Sequence, residues 1–321
     1  MPGASEPAQY DCIIVGGGPA GLSAALMLGR CRRRVLVCDG GEPRNARSHA
    51  LHGYLTRDGT PPGEFLDLAR AELGRYETVE LRAQVIADAA PIPAGFELTA
   101  DDGERLRTRK LLLATGVKDE LPAVDGLEPL YGTSVHHCPY CDAWEWRDQP
   151  LAVYGRGDAA SGLALALAFW TPDVVLCSDG PSEIGAAHLE QLAAAGVELR
   201  ETPVRRLEGR DGLLERVVFA DGEALPRRAL FFAGGQRQRS RLAERLGCRF
   251  TSKGSVDTGS CEATNVPGLY VAGDASKEAQ LVVVAAAEGT EAGMAIHKSL
   301  MAEALSGAGE PDHRSMAAPA R

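Results

Sequence analysis

The sequence predicts an α/β protein of two Rossmann-like domains, because a pattern of strand, glycine-rich turn, helix and strand occurs twice. The first copy begins at Cys12 and the second at Leu151, roughly 140 residues later. A chain of 321 residues is long enough for two domains that each bury a core. Since this pattern is typical of βαβ units that bind dinucleotides, we expect two dinucleotide-binding domains.

The first copy opens with an apolar strand at Cys12–Val15, and the glycine-rich turn follows it directly. A helix is expected over Leu22–Arg30 and a second strand over Val35–Cys38, which ends at Asp39. Parallel strands need a crossover connection, and that connection is nearly always right-handed. This order therefore predicts one complete βαβ unit.

The turn has the spacing Gly16-x-Gly18-x-x-Gly21, after a strand and at the start of a helix. Gly16 would permit the tight turn, Gly18 would let the backbone approach a pyrophosphate, and Gly21 would let the helix pack closely. The helix N-terminus supplies amide hydrogens to the phosphates. Asp39 lies at the end of the next strand, where its carboxylate would accept hydrogen bonds from ribose hydroxyls.

The second copy begins with an expected strand at Leu151–Tyr154. It continues through the glycine-rich residues 155–160 and reaches another strand at Val174–Cys177. Glycines and prolines within residues 117–132 and 234–240 indicate two connections between the domains. The second domain is therefore expected to be inserted in the first.

These signals divide the chain into four parts. Residues 1–117 and 241–305 would build the first domain, which ends in a helix from about Val282 to Leu305. Residues 118–240 would form the inserted domain. The last stretch, residues 306–321, is small, polar and proline-containing, and we expect a disordered tail there.

Two further segments resemble parts of a flavin-binding domain. Leu111–Gly116 resembles the strand and turn that close the first part of an FAD domain, with Thr115 and Gly116 in the turn. Tyr270–Asp274 resembles the second flavin motif of such domains. Together with the first glycine-rich turn, these segments predict FAD as the cofactor.

The second flavin motif implies particular roles for its residues. Gly273 would form the turn, and the carboxylate of Asp274 would bind the ribityl chain. Gln280 and Leu281 precede the long last helix, whose N-terminus would face the pyrimidine end of the flavin. A helix dipole at that position stabilises the negative charge that reduction creates.

Between the two glycine-rich turns lies the segment Cys138-Pro139-Tyr140-Cys141-Asp142. A C-x-x-C pair lets two thiols meet across one turn, and thiol–disulfide exchange needs one of them as a thiolate. The carboxylate of Asp142 would carry protons to and from the pair. The other six cysteines stand alone in the sequence, as small buried hydrophobes do.

Two histidines, His136 and His137, precede the first cysteine of the pair. Either could exchange protons with the thiols, or lower the pKa of a cysteine when protonated. Because they are adjacent in sequence, we expect only one of them to face the thiols. His137 is the candidate for a catalytic role, and the choice among His136, His137 and Asp142 as acid and base stays open.

Two other interpretations of the cysteine pair fit the sequence less well. A zinc site would need a second ligand pair at suitable spacing, and the chain has no other C-x-x-C. A glutaredoxin-like module would place C-P-Y-C after the first strand of a small domain. Here the pair lies between two nucleotide-binding patterns, which favours a redox pair that works with a flavin.

The order GGGPAG, ATG, CPYCD, GRGDAA and AGD resembles the low-molecular-weight thioredoxin reductase family across nearly the whole chain. The resemblance implies an FAD domain built from both ends of the chain, an inserted nucleotide-type domain and a homodimer. It implies that Cys141 exchanges electrons with the flavin and that Cys138 is the outer thiol that meets substrate. Asp142 matches the acid–base position of the family.

The second domain departs from the reductases. An NADPH-dependent reductase holds the 2′-phosphate with basic residues, yet no Lys or Arg occurs from Gly157 to Leu199. Asp179, about 22 residues after Gly157, would repel that phosphate. Either Asp179 binds the ribose of NADH, or the second domain has lost nucleotide binding and remains as a scaffold.

Loss of nucleotide binding is similar to another branch of the family, the dithiol oxidases that close disulfides in gliotoxin, holomycin and romidepsin. Electrons would run from a substrate dithiol to Cys138 and Cys141, then to flavin and to dioxygen, which gives hydrogen peroxide. The segment around Arg44, Asn45 and His52 also resembles this branch, and these three side chains are expected near the flavin. We therefore expect an oxidase.

Two alternatives to the oxidase stay open. One is a disulfide reductase fed by NADH, NADPH, ferredoxin or another flavin donor. The other is a flavin-binding redox sensor without turnover, although a sensor has no need of an active C-P-Y-C-D. Flavin bleaching by a pyridine nucleotide would favour the reductase, and a lack of any thiol chemistry would favour the sensor.

Composition bounds the partners and the location. A net charge of −10 argues against nucleic acid and acidic membrane surfaces, because both require a basic face. No apolar run is long enough to cross a bilayer, and the first ten residues lack the features of a secretory signal. We expect a cytoplasmic homodimer whose other partners are a small-molecule dithiol and dioxygen.

Overall fold

The computed structural model describes residues 10–307. Its strands are β1 (Tyr10–Val15), β2 (Val35–Asp39), β3 (Val79–Ala83), β4 (Ile86–Ile92), β5 (Gly95–Ala100), β6 (Arg105–Leu113), β7 (Val117–Asp119), β8 (Val135–His136), β9 (Leu151–Tyr154), β10 (Val174–Cys177), β11 (Glu198–Arg200), β12 (Val204–Arg210), β13 (Leu213–Phe219), β14 (Ala224–Pro226), β15 (Ala229–Phe232), β16 (Gln236–Gln238) and β17 (Leu269–Val271). Its α-helices are α1 (Pro19–Arg30), α2 (Pro62–Leu73), α3 (Pro139–Asp142), α4 (Gly157–Leu167), α5 (Ala186–Ala194), α6 (Leu242–Arg245) and α7 (Val282–Leu305). Short 3-10 helices lie at Glu128–Leu130 and Ser260–Glu262.

The chain forms two compact units. The first contains the residues up to Pro43, then Leu66–Val117, and those from Gln238 onward. The second contains Arg44–Phe65 and Lys118–Arg237. The segment 44–65 thus groups with the second unit, whereas the sequence-based division assigned it to the first part of the FAD domain. Residues 308–321, most of the expected tail, lie outside the described residues.

The first unit is built on a sheet with the strand order β3-β2-β1-β6-β5-β4, and β17 also pairs with β6. Strand β1 pairs in parallel with β2 and β6, while β4, β5 and β6 pair antiparallel. The side chains of β1, β2 and the end of β6 are almost all buried. Continuous apolar strands of this kind are typical of parallel sheets that are covered on both faces.

Helices α1 and α7 pack directly against each other in the first unit. An added Cβ atom on Gly289 of α7 would overlap the carbonyl oxygen of Ala20 in α1. One on Gly293 would lie 3.0 Å from the Cβ atom of Met27 and 3.1 Å from the carbonyl oxygen of Ala24. The two glycines therefore let the helix backbones approach at van der Waals distance.

The second unit contains a parallel sheet with the order β11-β10-β9-β15-β8 and a three-stranded antiparallel sheet, β12-β13-β14. Strand β9, helix α4 and strand β10 form the predicted second βαβ pattern. Strand β8 lies at the edge of the parallel sheet and leads into the cysteine pair. The α/β fold with two Rossmann-type units is thus confirmed.

Within residues 10–307, no helix combines the length and apolar character that crossing a bilayer requires.

Candidate functional site

The first glycine-rich turn follows β1 and opens α1. Gly16 has a φ of +114°, and an added Cβ atom there would overlap the carbonyl oxygen of Ala114. A Cβ atom on Gly21 would overlap the carbonyl oxygen of Gly16, so the start of α1 lies directly on the turn. Only glycine fits these two positions, as the sequence predicts.

The remaining glycine of the motif, Gly18, leaves the helix backbone open to a ligand. Gly18 is the N-cap of α1 in an extended conformation, and an added Cβ atom would meet no described atom within 4 Å. Among the described residues, no side chain caps this helix, and its first turn has no acidic residue. The uncapped amides and the helix dipole suit a phosphate group.

Asp39 lies at the carboxyl end of β2, beside the glycine-rich turn. Its Oδ2 atom accepts a hydrogen bond from Nη2 of Arg70 at 2.9 Å, and its Oδ1 atom accepts one from the backbone N–H of Gly41 at 3.0 Å. The carboxylate would also overlap an added Cβ atom on Gly17. The position fits the predicted ribose contact, and Arg70 fixes the orientation of the carboxylate.

Two more turns meet at this edge of the sheet. After β6, the backbone N–H of Ala114 donates to the carbonyl oxygen of Val15 at 2.8 Å, and Thr115 and Gly116 follow. Gly116 has a φ of +65°. After β17, the backbone N–H of Ala272 donates to the carbonyl oxygen of Leu113 at 3.1 Å, which brings the next two residues, 273 and 274, to the same edge.

Glu288 of α7 binds the backbone of the second flavin motif. Its Oε2 atom accepts a hydrogen bond from the backbone N–H of Gly273 at 2.8 Å, directly before Asp274. Burial, with a smaller contribution from the neighbouring carboxylates of Glu262 and Asp274, raises the pKa of Glu288 to about 7. The hydrogen bond to Gly273 and the ammonium group of Lys277 act in the opposite direction.

Gln280 and Leu281 lead into α7. The Nε2 atom of Gln280 donates to the carbonyl oxygens of Lys277 and Asp274, at 3.2 and 3.4 Å. Leu281 is the N-cap of α7, and no described side chain caps this helix. The residues of this unit therefore fit an FAD molecule: a glycine cradle for the pyrophosphate, Asp39 for the ribose, Asp274 for the ribityl chain and the positive end of α7 for the flavin.

In the second unit, the chain leaves β8 and forms the cysteine pair within four residues. Cys138 is the N-cap of α3 in an extended conformation, and Pro139 is the first helical residue, where its missing N–H costs no hydrogen bond. One helical turn places Cys141 over Cys138, and the two cysteines form a disulfide with a Cα–Cα distance of 5.3 Å. Tyr140, between them, is exposed.

Asp142 contacts His136 rather than His137. The Nδ1 atom of His136 lies 3.3 Å from Oδ1 of Asp142. The indole N–H of Trp146 donates to Nε2 of the same ring at 3.1 Å. His136 is buried between the rings of Trp146 and Phe231, at centroid distances of 6.3 and 5.3 Å.

His137 belongs to a different network. Its Nε2 atom lies 3.2 Å from Nη2 of Arg44, which also binds both carboxylate oxygens of Asp119. The hydroxyl of Tyr131 donates to Asp119 at 2.6 Å. Burial lowers the pKa of His137, and Arg44 lowers it too, against the opposing effect of Asp119. Since a guanidinium only donates hydrogen bonds, Nε2 of His137 accepts one and the ring is neutral.

The same guanidinium governs the charge of Asp119. Burial alone would raise the pKa of this carboxyl, but the hydrogen bonds and positive charge of Arg44 outweigh it and hold the pKa below its usual value. Burial and Asp119 together raise the pKa of Tyr131. The network therefore stays charged as an ion pair behind His137.

The structure places the three expected flavin neighbours of residues 44–52 in the second unit. Arg44 pairs with Asp119 as above, and the carbonyl oxygen of Asn45 accepts a hydrogen bond from the backbone N–H of Ser48 at 3.0 Å. His52 lies between two carboxylates, Asp58 and Glu145, each at 3.5 Å. Their role toward the flavin stays a prediction.

The N-terminus of α4 differs from that of α1. The backbone N–H of Gly157 donates to the carbonyl oxygen of Ser182 at 2.8 Å. Asp158, in the first turn, contacts Nδ1 of His188 at 2.7 Å, and this contact lowers the pKa of the carboxyl. The first amide of this helix is thus already bonded within the same unit, and a carboxylate stands in the turn where a dinucleotide phosphate would bind.

The carboxylate of Asp179 also binds residues of its own unit. It has a φ of +55°, and its carboxylate accepts hydrogen bonds from the hydroxyl of Tyr154 at 3.0 Å and from the backbone N–H of Val204 at 2.8 Å. Arg156 donates to the carbonyl oxygens of Ser178 and Asp179. These contacts occupy the carboxylate that would otherwise bind the ribose of NADH.

Three residues of these networks were not predicted: Trp146, Asp119 and Tyr131. The aromatic pair in WEWR, directly after the cysteine pair, is a local signal that could have pointed to Trp146. Asp119 and Tyr131 have no such signal, because their partner Arg44 lies 75 residues before Asp119 in the chain.

Residues 10–289 match the family described as pyridine nucleotide-disulphide oxidoreductase. The chain is 31% identical over 306 residues to thioredoxin reductase aclD from Aspergillus oryzae, which covers 91% of this chain and 96% of that protein. Thioredoxin reductase tcpT from Claviceps purpurea is also 31% identical over 306 residues, with 91% and 95% covered.

Solved structures agree with these relatives. The crystal structure of HlmI matches with a TM-score of 0.90 and 34% identity, over 98% of this chain and 99% of that one. An oxidoreductase from Agrobacterium tumefaciens matches with a TM-score of 0.85 and 35% identity, over 91% and 98%. The chain therefore belongs to the pyridine nucleotide-disulphide oxidoreductase family, as an FAD-binding, thioredoxin reductase-like disulfide oxidoreductase.

Proposed function

We propose that the protein is a dithiol oxidase that closes an intramolecular disulfide in a small-molecule dithiol of the natural-product type. Two substrate thiols lose two electrons and two protons, and the Cys138–Cys141 disulfide takes them up and becomes two thiols. Bound FAD accepts the two electrons when this disulfide forms again and passes them to dioxygen, which leaves as hydrogen peroxide. Cys138 is the outer thiol, and Cys141 exchanges electrons with the flavin.

The observation that carries this proposal is the covered N-terminus of α4. A pyridine nucleotide binds its phosphates to free amides at this position of a Rossmann unit. Here the amide of Gly157 is bonded to Ser182, and the carboxylate of Asp158 stands in the first turn. A dinucleotide would have to displace this loop and approach a negative charge, which argues against an NAD(P)H-driven reaction.

The contrast within one chain supports the same conclusion. Helix α1 keeps an uncapped N-terminus with no acidic residue in its first turn among the described residues, as a bound pyrophosphate requires. No described side chain caps helix α4 either, but its first amide, that of Gly157, is bonded to the carbonyl oxygen of Ser182, and Asp158 stands in its first turn. Electrons must then enter through the dithiol and leave through another acceptor, and dioxygen is the acceptor that needs no further binding domain.

The competing function is disulfide reduction, which the names of the relatives favour, since aclD and tcpT are both called thioredoxin reductases. Such an enzyme would draw electrons from NADH, NADPH or ferredoxin. Asp179 would then have to leave Tyr154 and Val204 to bind a ribose.

Anaerobic flavin absorbance distinguishes the two functions. NADPH, NADH and dithiothreitol are added in turn to the FAD-loaded protein, and air is admitted last. We expect no bleaching by either nucleotide, stoichiometric bleaching by dithiothreitol, and reoxidation with one hydrogen peroxide per flavin. Rapid stoichiometric bleaching by a nucleotide would overturn the oxidase and establish a reductase.

The proposal includes a homodimer in the cytoplasm that binds neither nucleic acid nor membranes. The acidic net charge of −10 supports the last two points. Sedimentation velocity of the FAD-loaded protein tests the dimer: a single species of the monomer mass of 33.9 kDa would contradict it.

A further inference from the structure

We propose that His136 is a positioning residue for Asp142: its ring, held by Trp146, places Nδ1–H next to the carboxylate and keeps that carboxylate in place beside the cysteine pair. This inference rests on the proposed dithiol chemistry of Cys138 and Cys141. It does not depend on which acceptor finally takes the electrons.

The first step concerns the tautomer of His136. The indole N–H of Trp146 is a donor only, so Nε2 of His136, at 3.1 Å, must accept. In a neutral imidazole with an accepting Nε2, the proton is on Nδ1. Nδ1 is the atom that lies 3.3 Å from Oδ1 of Asp142. The contact with Trp146 therefore places the protonated ring nitrogen next to the carboxylate.

The second step concerns rigidity. His136 is only 5% exposed, and its ring lies against Phe231 and Trp146. Its backbone belongs to β8, where His136 stands opposite Phe231 of β15. A buried ring that contacts two aromatic side chains and has a polar partner at each nitrogen holds that partner in one place. Helix α3, by contrast, has a single turn and little rigidity of its own.

The third step concerns the other charged groups around the pair. His137 follows His136, and behind it stand Arg44 and Asp119, joined as an ion pair. Arg44 donates a hydrogen bond to Nε2 of His137, and burial lowers the pKa of that ring. His137 is therefore tied to the ion pair, and His136 remains as the histidine that supports Asp142.

The chemistry explains why the carboxylate needs this support. An incoming thiol must lose its proton to attack the Cys138–Cys141 disulfide, and the leaving cysteine thiolate must gain one. The carboxylate of Asp142 accepts the first proton and returns it to the cysteine, so charge and protons balance over the exchange. A carboxylate transfers these protons only while it stays within reach of the reacting sulfur atoms. Loss of the nitrogen that holds it in place should therefore slow the exchange.

The experiment compares variants in anaerobic stopped-flow reduction of the flavin by dithiothreitol, from pH 5.5 to 9. His136→Phe keeps a ring but removes both nitrogens. His136→Asn places an amide N–H near the position of Nδ1 and keeps the donor. Trp146→Phe removes only the contact that sets the tautomer. His188→Phe, which breaks the exposed pair between His188 of α5 and Asp158 of α4, is the matched control.

For His136→Phe, we expect a loss of about 10- to 100-fold in the rate of flavin reduction at pH 7. His136→Asn should stay within about threefold of the parent, and Trp146→Phe should show a smaller loss than His136→Phe. His188→Phe should match the parent. In an Asp142→Asn background, His136→Phe should cause little additional loss, because its effect passes through the carboxylate.

Several outcomes would overturn the inference. One is an equal loss in His136→Phe and His136→Asn, which would indicate packing alone. Another is a full effect of His136→Phe in the Asp142→Asn background. If His136→Phe does not fold with FAD, an unchanged rate in Trp146→Phe decides against the inference. No reduction of the parent protein by dithiothreitol at any pH would instead overturn the proposed function.

Discussion

An added Cβ atom on Gly289 would overlap the carbonyl oxygen of Ala20, so α7 touches α1 at this point with no room for a side chain. Gly289→Ala should force the helices apart and destabilise the FAD-loaded protein by about 1–3 kcal/mol. Some loss of bound FAD should follow, since α1 and α7 both begin at the cofactor cradle. Thermal unfolding by circular dichroism and the flavin-to-protein ratio measure both effects.

The matched control for this variant is Gly162→Ala in α4. Gly162 is exposed, and an added Cβ atom there would meet no described atom within 4 Å. Alanine should stabilise this helix by about 0.5–1 kcal/mol, because it restricts the unfolded chain more than glycine does. Equal effects of the two alanines would show that close packing at Gly289 is not required.

The buried ion pair behind His137 should be sensitive to loss of one partner. Arg44→Leu leaves the carboxylate of Asp119, which is 7% exposed, without its cation, and should cost about 3–5 kcal/mol of unfolding free energy at pH 7. Arg47→Leu breaks the exposed pair with Glu128 and should cost less than about 1 kcal/mol. Urea unfolding of both variants gives the comparison.

The pH dependence of the same pair has a definite sign. The pKa of Asp119 is held below its usual value, so the pair stabilises the parent above the unfolded-state pKa of about 4. That contribution is lost as the pH falls through the lower folded-state value. The difference between Arg44→Leu and the parent should therefore be constant from about pH 6 to 8 and shrink below about pH 4. A difference that does not shrink in acid would contradict this origin.

Glu288 should give the opposite dependence on pH. Its pKa is raised to about 7, so the stabilisation from its neutral form is complete below the unfolded-state value and lost as the pH rises through 7. Glu288→Gln keeps an oxygen for the amide of Gly273 and cannot ionise. Between pH 5 and pH 8, the free energy of unfolding of the variant should rise relative to that of the parent by about 1–3 kcal/mol. Glu278→Gln, at an exposed pair with Lys253, should show no such trend in thermal unfolding.

The cysteine pair should be essential for turnover and dispensable for cofactor binding. Cys138→Ser and Cys141→Ser should each lower dithiol oxidation by at least about 1,000-fold, because a single cysteine cannot form the disulfide that accepts the electron pair of the substrate. Both variants should keep FAD, since the glycine cradle lies in the other unit. Oxygen uptake with a dithiol and the flavin absorbance of the purified variants measure these effects. Loss of FAD in both would indicate a structural disulfide.

Much of the fold could be predicted where the chain carries its own local signals. Strand β10 and helix α7 have the bounds expected from sequence, Val174–Cys177 and Val282–Leu305. Strand β10 is a short apolar run between polar residues, and α7 is a long alanine-rich segment. Helix α2 (Pro62–Leu73) was not predicted, although Pro62 at its start and the apolar residues Phe65, Leu66 and Leu73 are a helical signal.

The candidate site divides in the same way. Gly16, Gly18 and Gly21 are identified by spacing, because the glycine-rich turn is a local structure. The pairing of Arg44 with Asp119, or of Trp146 with His136, depends on the tertiary fold and leaves no local pattern. The same is true of the loop over α4, since Ser182 lies 25 residues after Gly157 and a turn of another sequence could have left the amide open.

The contrast between α1 and α4 also has a consequence for how the protein survives loss of its cofactor. A ligand that binds only the folded state adds stability in proportion to the logarithm of its concentration, about 2.7 kcal/mol at one hundred times the dissociation constant. The α1 terminus leaves its amides to such a ligand, whereas the α4 terminus satisfies Gly157 from within the chain. The unit that holds the disulfide therefore needs no ligand at this helix terminus. The unit that holds the flavin gains part of its stability from its cofactor and should unfold more easily without it.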